Sequence, residues 1–290
     1  MIEVITEALV DSVIDTVKLF PFLLLTYLIM EYIERKTEEG SVRMLGKAGG
    51  WAPLFGAGVG VVPQCGFSAA AASLYSGGLI SIGTLMAVFL STSDEMLPIF
   101  LSSQVPVASV ARVLLMKLVI GTVTGMGIDA FLRMTRYKYK TQKRIHELCE
   151  QEHCGCEEEG GLFRSALIHS LHISLFIFLC SFLIALLVGG LGEEAVAGVM
   201  TGHPVAGILL AGLIGLIPNC AASVMITQLY LSGILELGQL MAGLLVGAGV
   251  GLLVLFRTNR HMSENLKILG MLYGLGVFWG LMIHLLEISF

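Results

Sequence analysis

Charge is what this chain has least of. Only 13% of its 290 residues are Asp, Glu, Lys or Arg, while 56% are hydrophobic; a soluble domain carries about 25% charged residues. Mean hydropathy is correspondingly high, +0.85. Run after run of uncharged residues excludes an ordinary soluble enzyme. A basic excess is also missing: the net charge is −5, so no nucleic-acid partner is expected. No GxxxxGK[ST] loop occurs, so ATP drive would need a partner. The opening MIEVITEALVDSVID is acidic where a secretory signal carries positive charge. A disulfide framework is lacking as well. Of six cysteines, Cys65, Cys180 and Cys220 lie in apolar segments, and Cys149, Cys154 and Cys156 lie in one polar loop. What remains is an all-α polytopic membrane protein, with 35 glycines to let its helices approach closely.

A spanning helix needs about 20 mostly apolar residues. Residues 4–33, 107–132, 163–189, 235–256 and 266–288 meet that requirement. Between them lie apolar pieces half as long: 51–62, 65–76, 204–217 and 220–231. At about 1.5 Å per residue, each piece reaches roughly half way through a core about 30 Å thick. The first two are joined by Pro63-Gln64-Cys65 and the last two by Pro218-Asn219-Cys220. This pattern predicts re-entrant hairpins with polar tips at membrane depth, where irregular backbone is tolerated if it lines a cavity. Two short tilted spans joined at the surface are the alternative. Residues 79–103 form a broken helix, whose apolar part ends at Leu90 before STSDE (Ser91–Glu95) and Pro98. In the plainer reading STSDE caps an element at the surface.

The two triplets belong to a longer duplication. Residues 60–98 fall on 215–253 without a gap: Pro63 on Pro218, Cys65 on Cys220, Ser68 on Ser223, Tyr75 on Tyr230, Gly78 on Gly233 and Gly83 on Gly238. Asp94 and Glu95 fall on Gly249 and Val250, and the second half is expected to keep an unbroken apolar helix there. Basic residues cluster at 133–144 (RMTRYKYKTQKR), after the first helix and around Arg257 and Lys267. By the positive-inside rule these clusters face the cytoplasm, which leaves both termini outside and makes the halves inverted repeats. The expected organisation is a first membrane repeat over 1–132, a cytoplasmic linker over 133–162 and a second, inverted repeat over 163–290.

The chemistry of such a layout concentrates at the tips and the break. Gln64, Cys65, Ser68, Asn219, Cys220 and Ser223 supply the tips; Ser91, Thr92, Ser93, Asp94 and Glu95 supply the broken helix. Two adjacent carboxylates at membrane depth repel each other and need a cation or a proton. Asp94 and Glu95, with Cys65 and Cys220, are therefore candidate metal ligands, although membrane cysteines also serve as small packing residues. Oxygen donors suit a hard divalent ion such as Mn²⁺, and thiolates shift the preference toward softer metals. His169, His172 and Asp15 are candidates for a proton pathway; Asp15, with Asp11, could equally sit among outer headgroups, and His169 at the interface. In the linker, HELCEQEHCGCEEE places His153, Cys154 and Cys156, with His146 and Cys149, as a further metal site, at spacings unlike a structural zinc module. Otherwise it is a solvated connection.

Through GVVPQCGFSAAAASLY, STSDEMLPI, ALIHSLHI and the Cys/His-rich linker, nearly the whole chain resembles the bacterial ten-helix heavy-metal exporters, also labelled manganese transporters or arsenic efflux proteins. The resemblance implies metal or metalloid export from a multi-pass protein of the cytoplasmic (inner) membrane. The hairpin-and-break layout is also similar to that of ion-coupled carboxylate carriers, a likeness of fold alone. The expected activity is secondary efflux of a divalent metal, coupled to protons. The alternative is Na⁺- or H⁺-coupled transport of a small anion or organic solute, favoured by helix N-termini at the tips. A membrane enzyme or a channel of the same fold ranks below both, and the chain is expected not to be an enzyme. The implied partners are a small ion and the lipid bilayer, with no tightly bound cofactor beyond the transported metal and a coupling H⁺ or Na⁺. Nothing in the sequence demands a homodimer, although carriers of this size often form one.

Overall fold

The structure is a computed structural model. It describes residues 50–93, 96–134, 170–179 and 204–287, together with single helical positions between 6 and 28 and at 167–168 and 182–183. Among these the chain is all helical, as expected of an all-α polytopic membrane protein. Residues 135–166, including the whole Cys/His cluster of the linker, lie outside the described residues.

In the first half, α1 (Ala52–Gly60) and α2 (Cys65–Ser76) flank the first triplet. The broken helix follows as α3 (Ile82–Ser91) and α4 (Met96–Ser102), and the half closes with the long α5 (Val107–Met134). The second half presents α6 (Pro204–Gly215), α7 (Cys220–Leu231), α8 (Leu237–Val246), α9 (Val250–Thr258) and α10 (Met262–Leu285). The offset that carries Cys65 to Cys220 also carries α2 onto α7 and α3 onto α8 at both ends, and the start of α5 onto the start of α10. The turn glycines Gly78 and Gly233 share φ of 75°.

The stretches Ile82–Ser102, Val107–Met134, Leu237–Thr258 and Met262–Leu285 are each long and apolar enough to cross a membrane. On α5, one face shows Leu115, Val119, Val123 and Phe131 to the outside, while Val113, Ile120, Gly121 and Gly125 are buried. An apolar exterior suits lipid, which competes with nothing the helix offers. On the inner face, close approach requires glycine. A Cβ on Gly125 would stand 2.5 Å from the Gly83 carbonyl oxygen, and one on Gly280 would stand 2.8 Å from that of Gly238. The same small-residue contact thus joins α3 to α5 and α8 to α10.

The halves interlock. Helix α2, following the first tip, packs along α9 of the second half, and α7, following the second tip, packs on α4 of the first. The two breaks, between α3 and α4 and between α8 and α9, therefore face the opposite half's tip helix.

The second half departs from the unbroken helix that its sequence suggests: α8 ends at Val246 and α9 begins at Val250. Gly249 takes φ 52°, ψ −139°, a conformation that side-chain-bearing residues avoid. Gly249 thus breaks the second half with a backbone conformation open to glycine, where in the first half the chain leaves α3 at Thr92 with φ −54°, ψ 127°.

The two helix starts before the breaks are held differently. At α3, Ser81 accepts from the Thr84 amide, and Asp129 of α5 accepts from the Gly83 amide (3.0 Å) and the Ser81 hydroxyl (2.6 Å). These bonds satisfy helix-start donors that have no partner within the helix. At α8 the equivalent positions are Glu236 and His284, an exposed pair 2.9 Å apart, and Gln239 completes a capping box with Glu236.

Candidate functional site

The first break is built by hydroxyls that turn back on their own helix. Ser91 Oγ donates to the carbonyls of Ala87 (2.8 Å) and Val88 (3.1 Å), and Thr92 Oγ1 donates to Val88 (2.8 Å). Ser93 instead reaches across the fold, donating to the Val61 carbonyl at the end of α1 (2.7 Å). That bond ties the first break to the first tip.

Ser93 also faces the second tip. With Thr92 and Met96 it forms one wall of a cavity of about 20 Å³, and Asn219 and Ser223 from the second tip form another. The third wall is the second break, from Gly243 and Leu244 to Gly247 and Gly249. A void of this size holds about one water or one small ion. Its polar lining residues are Thr92 and Ser93 from the first half and Asn219 and Ser223 from the second, set beside the loosened backbone of both breaks and apolar neighbours such as Met96, Ile217 and Ala222. Helix α7 begins at Cys220, directly after Asn219, so the positive end of its dipole also borders the cavity.

Of the residues that the sequence singles out, Thr92, Ser93, Asn219 and Ser223 are therefore gathered in one place. Ser91 lies one residue back along α3 and is fully buried in its own hydrogen bonds. Ser68 is buried against Gly251 of α9, where an added Cβ would stand 2.8 Å from the Ser68 Cβ. Gln64 is half-buried, and Pro63 is exposed on the surface of the isolated chain. His172 is exposed on the Ser170–Leu179 helix. Asp94, Glu95, Asp11, Asp15 and His169 lie outside the described residues, as do the side chains of Cys65 and Cys220. His153, Cys154 and Cys156 share that position. Among the described residues, no three His, Cys, Asp or Glu side chains gather as a metal site.

Sequence reasoning missed Lys117. It sits ten residues into α5 and is fully buried, at 0% exposure. Its Nζ donates to the Thr92 carbonyl and to the Leu244 carbonyl (3.0 Å), both at the edge of the cavity. The signal was available, because a lysine inside the apolar stretch 107–132 is costly to bury and so points to function.

A family model described as "Putative, 10TM heavy-metal exporter" matches residues 1–195, a stretch that spans the first tip, the first break and the linker. No curated protein and no solved structure matches the chain.

Proposed function

Starting from the premise that the chain belongs to the family of ten-transmembrane heavy-metal exporters, we propose that it is a secondary active transporter that expels a divalent metal ion of the Mn²⁺ type. Metal efflux follows from the family. The cavity between the first break and the second tip carries the finer reading. It is about 20 Å³, sized for one small ion, and its polar lining is oxygen-rich. Hydroxyl, amide and carbonyl oxygens suit a hard divalent cation. Asp94 and Glu95 directly follow Ser93 in the chain and would supply the negative charge that such a cation needs. Cys65 and Cys220, each the first residue of a tip helix, would extend the range toward softer metals.

The transporter would be built as two inverted repeats around this cavity, with the linker on the cytoplasmic side of the inner membrane and both termini outside. The cradle would open to alternate sides as one half moves against the other. Protons are the proposed counter-ion. The chain is proposed to hold no tight cofactor and to act by transport alone, without enzymatic turnover.

A second reading also has support. The N-terminus of α7 and the ammonium of Lys117 both put positive charge near the cavity, which favours a small anion. The cavity is too small for an organic solute unless the halves separate.

The test uses the full-length chain in liposomes. Mn²⁺ and Zn²⁺ movement is followed in both membrane orientations, with and without a pH gradient. The metal reading predicts saturable movement that the gradient drives and that Asp94→Asn abolishes, with calorimetric binding of Mn²⁺ or Zn²⁺ lost in the same variant. Absence of metal binding, together with saturable anion uptake, would establish the second reading instead.

A further inference from the structure

Lys117 has no role in the metal reading, yet it is fully buried and bridges the two halves of the fold. Its ammonium joins two backbone oxygens from different halves: Thr92 at the end of α3 and Leu244 in the last turn of α8. Each is at a helix C-terminus, where carbonyls lose their helical donors and partial negative charge accumulates. At α8 the loss is explicit. The Ala248 amide, which an unbroken helix would direct to Leu244, donates to Val246 instead (2.8 Å). In secondary transporters built on broken helices, unwound carbonyls and half-helix C-terminal ends are the groups that hold a coupling cation such as Na⁺.

The duplication sharpens the point. The residue equivalent to Lys117 in the second half is Leu272, which is buried and apolar. Among the described residues, the ammonium delivered by the first half therefore serves the ends of both breaks. An ammonium is a compact point charge with three donors, close to an alkali cation in what it asks of surrounding oxygens.

We propose that Lys117 is a resident, tethered cation that replaces a coupling alkali ion at the junction of the two breaks. It positions Thr92 and Leu244, which line the cavity, and it makes the carrier independent of Na⁺ and K⁺. The proposal rests on the transporter reading of the site and adds a positioning residue to it.

The experiment measures thermal unfolding of the full-length protein in lipid nanodiscs. Choline, sodium, potassium and methylammonium chlorides are compared at equal ionic strength. The wild type should unfold at one temperature in all four. Lys117→Ala should unfold at a lower temperature in choline and recover half or more of the loss, saturably, in at least one small cation. Lys117→Met, which fills the space without charge, should lose stability in every salt and recover in none. A merely structural lysine would not produce cation rescue of the alanine variant alone. The proposal is overturned if Lys117→Ala ignores all three small cations, or yields no folded protein in any of them. It is equally overturned if Lys117→Met matches the wild type, or if wild-type protein shows saturable binding of radiolabelled Na⁺. None of these readouts involves a heavy metal, so failure of metal export in liposomes and failure of this proposal are separate results.

Discussion

Ser68 and Ser223 hold equivalent places one turn past the two tips, but their neighbours differ. Opposite Ser68 stands Gly251, whose backbone closes so tightly that even a methyl group would collide. The position equivalent to Gly251 in the first half is Met96, and Met96 and Ser223 line a cavity together. The same duplicated backbone thus gives a sealed junction between the first tip and the second break, and an open one between the second tip and the first break. The polar residues of the break follow the open side. Thr92 and Ser93 line the cavity, whereas their equivalents, Gly247 and Ala248, carry no hydroxyl. A carrier assembled from two copies of one fold needs only one binding place, and the other junction is free to become packing.

The largest effect should come from forcing the sealed junction open. Gly251→Leu puts a side chain into the backbone of α2, and overpacking of a closed core costs about 3 kcal/mol or more at such a site. Thermal unfolding in nanodiscs should show it. Met96→Leu, on the open side, should change the midpoint far less, and equal losses would break the comparison.

Next in size is the support of the two broken helices. Asp129→Ala removes the acceptor of the Gly83 amide and the Ser81 hydroxyl in a buried place, which should cost about 2 kcal/mol. His284→Ala disrupts an exposed pair at the equivalent place and should cost about 0.5 kcal/mol or less. A reversed order in chemical or thermal unfolding would show that the exposed Glu236–His284 pair carries more of the fold than its contacts suggest.

Binding should separate the two tips. Asn219→Ala removes a cavity-lining amide and should weaken metal binding about tenfold, the equivalent of about 1.4 kcal/mol. The smallest effect is expected at the first tip, where Gln64→Ala should leave the apparent affinity within about twofold, well under 1 kcal/mol. Titration calorimetry with Mn²⁺ on both variants reads the difference. Equal losses would mean that both tips hold the ion and that the asymmetry of the junctions is incidental.

Much of the fold was legible in advance because its signals are local. Half-length apolar pieces, proline at each turn and a repeated Pro-amide-Cys triplet set the starts of α2 and α7 at Cys65 and Cys220. The second break was not legible. Glycine is common in membrane helices, so Gly247-Ala248-Gly249 reads as more apolar helix until its φ is known. The candidate site was legible in part. Thr92, Ser93, Asn219 and Ser223 come together as their polarity in an oily context suggests, but Ser68 shares that polarity and is sealed away. Lys117 also carried a signal in the sequence, a charge inside the apolar stretch 107–132, but not one of the paired carboxylates or cysteines that mark a metal site.

By itself, the sequence determined that the chain lies in a membrane, that it was duplicated and where its two tip helices begin, since hydropathy and turn chemistry act over a few residues at a time. Tertiary structure alone decided which tip faces a cavity and which faces a wall. That choice depends on whether Gly251 or Met96 meets the incoming tip helix, a contact between residues far apart in the chain that no local pattern encodes.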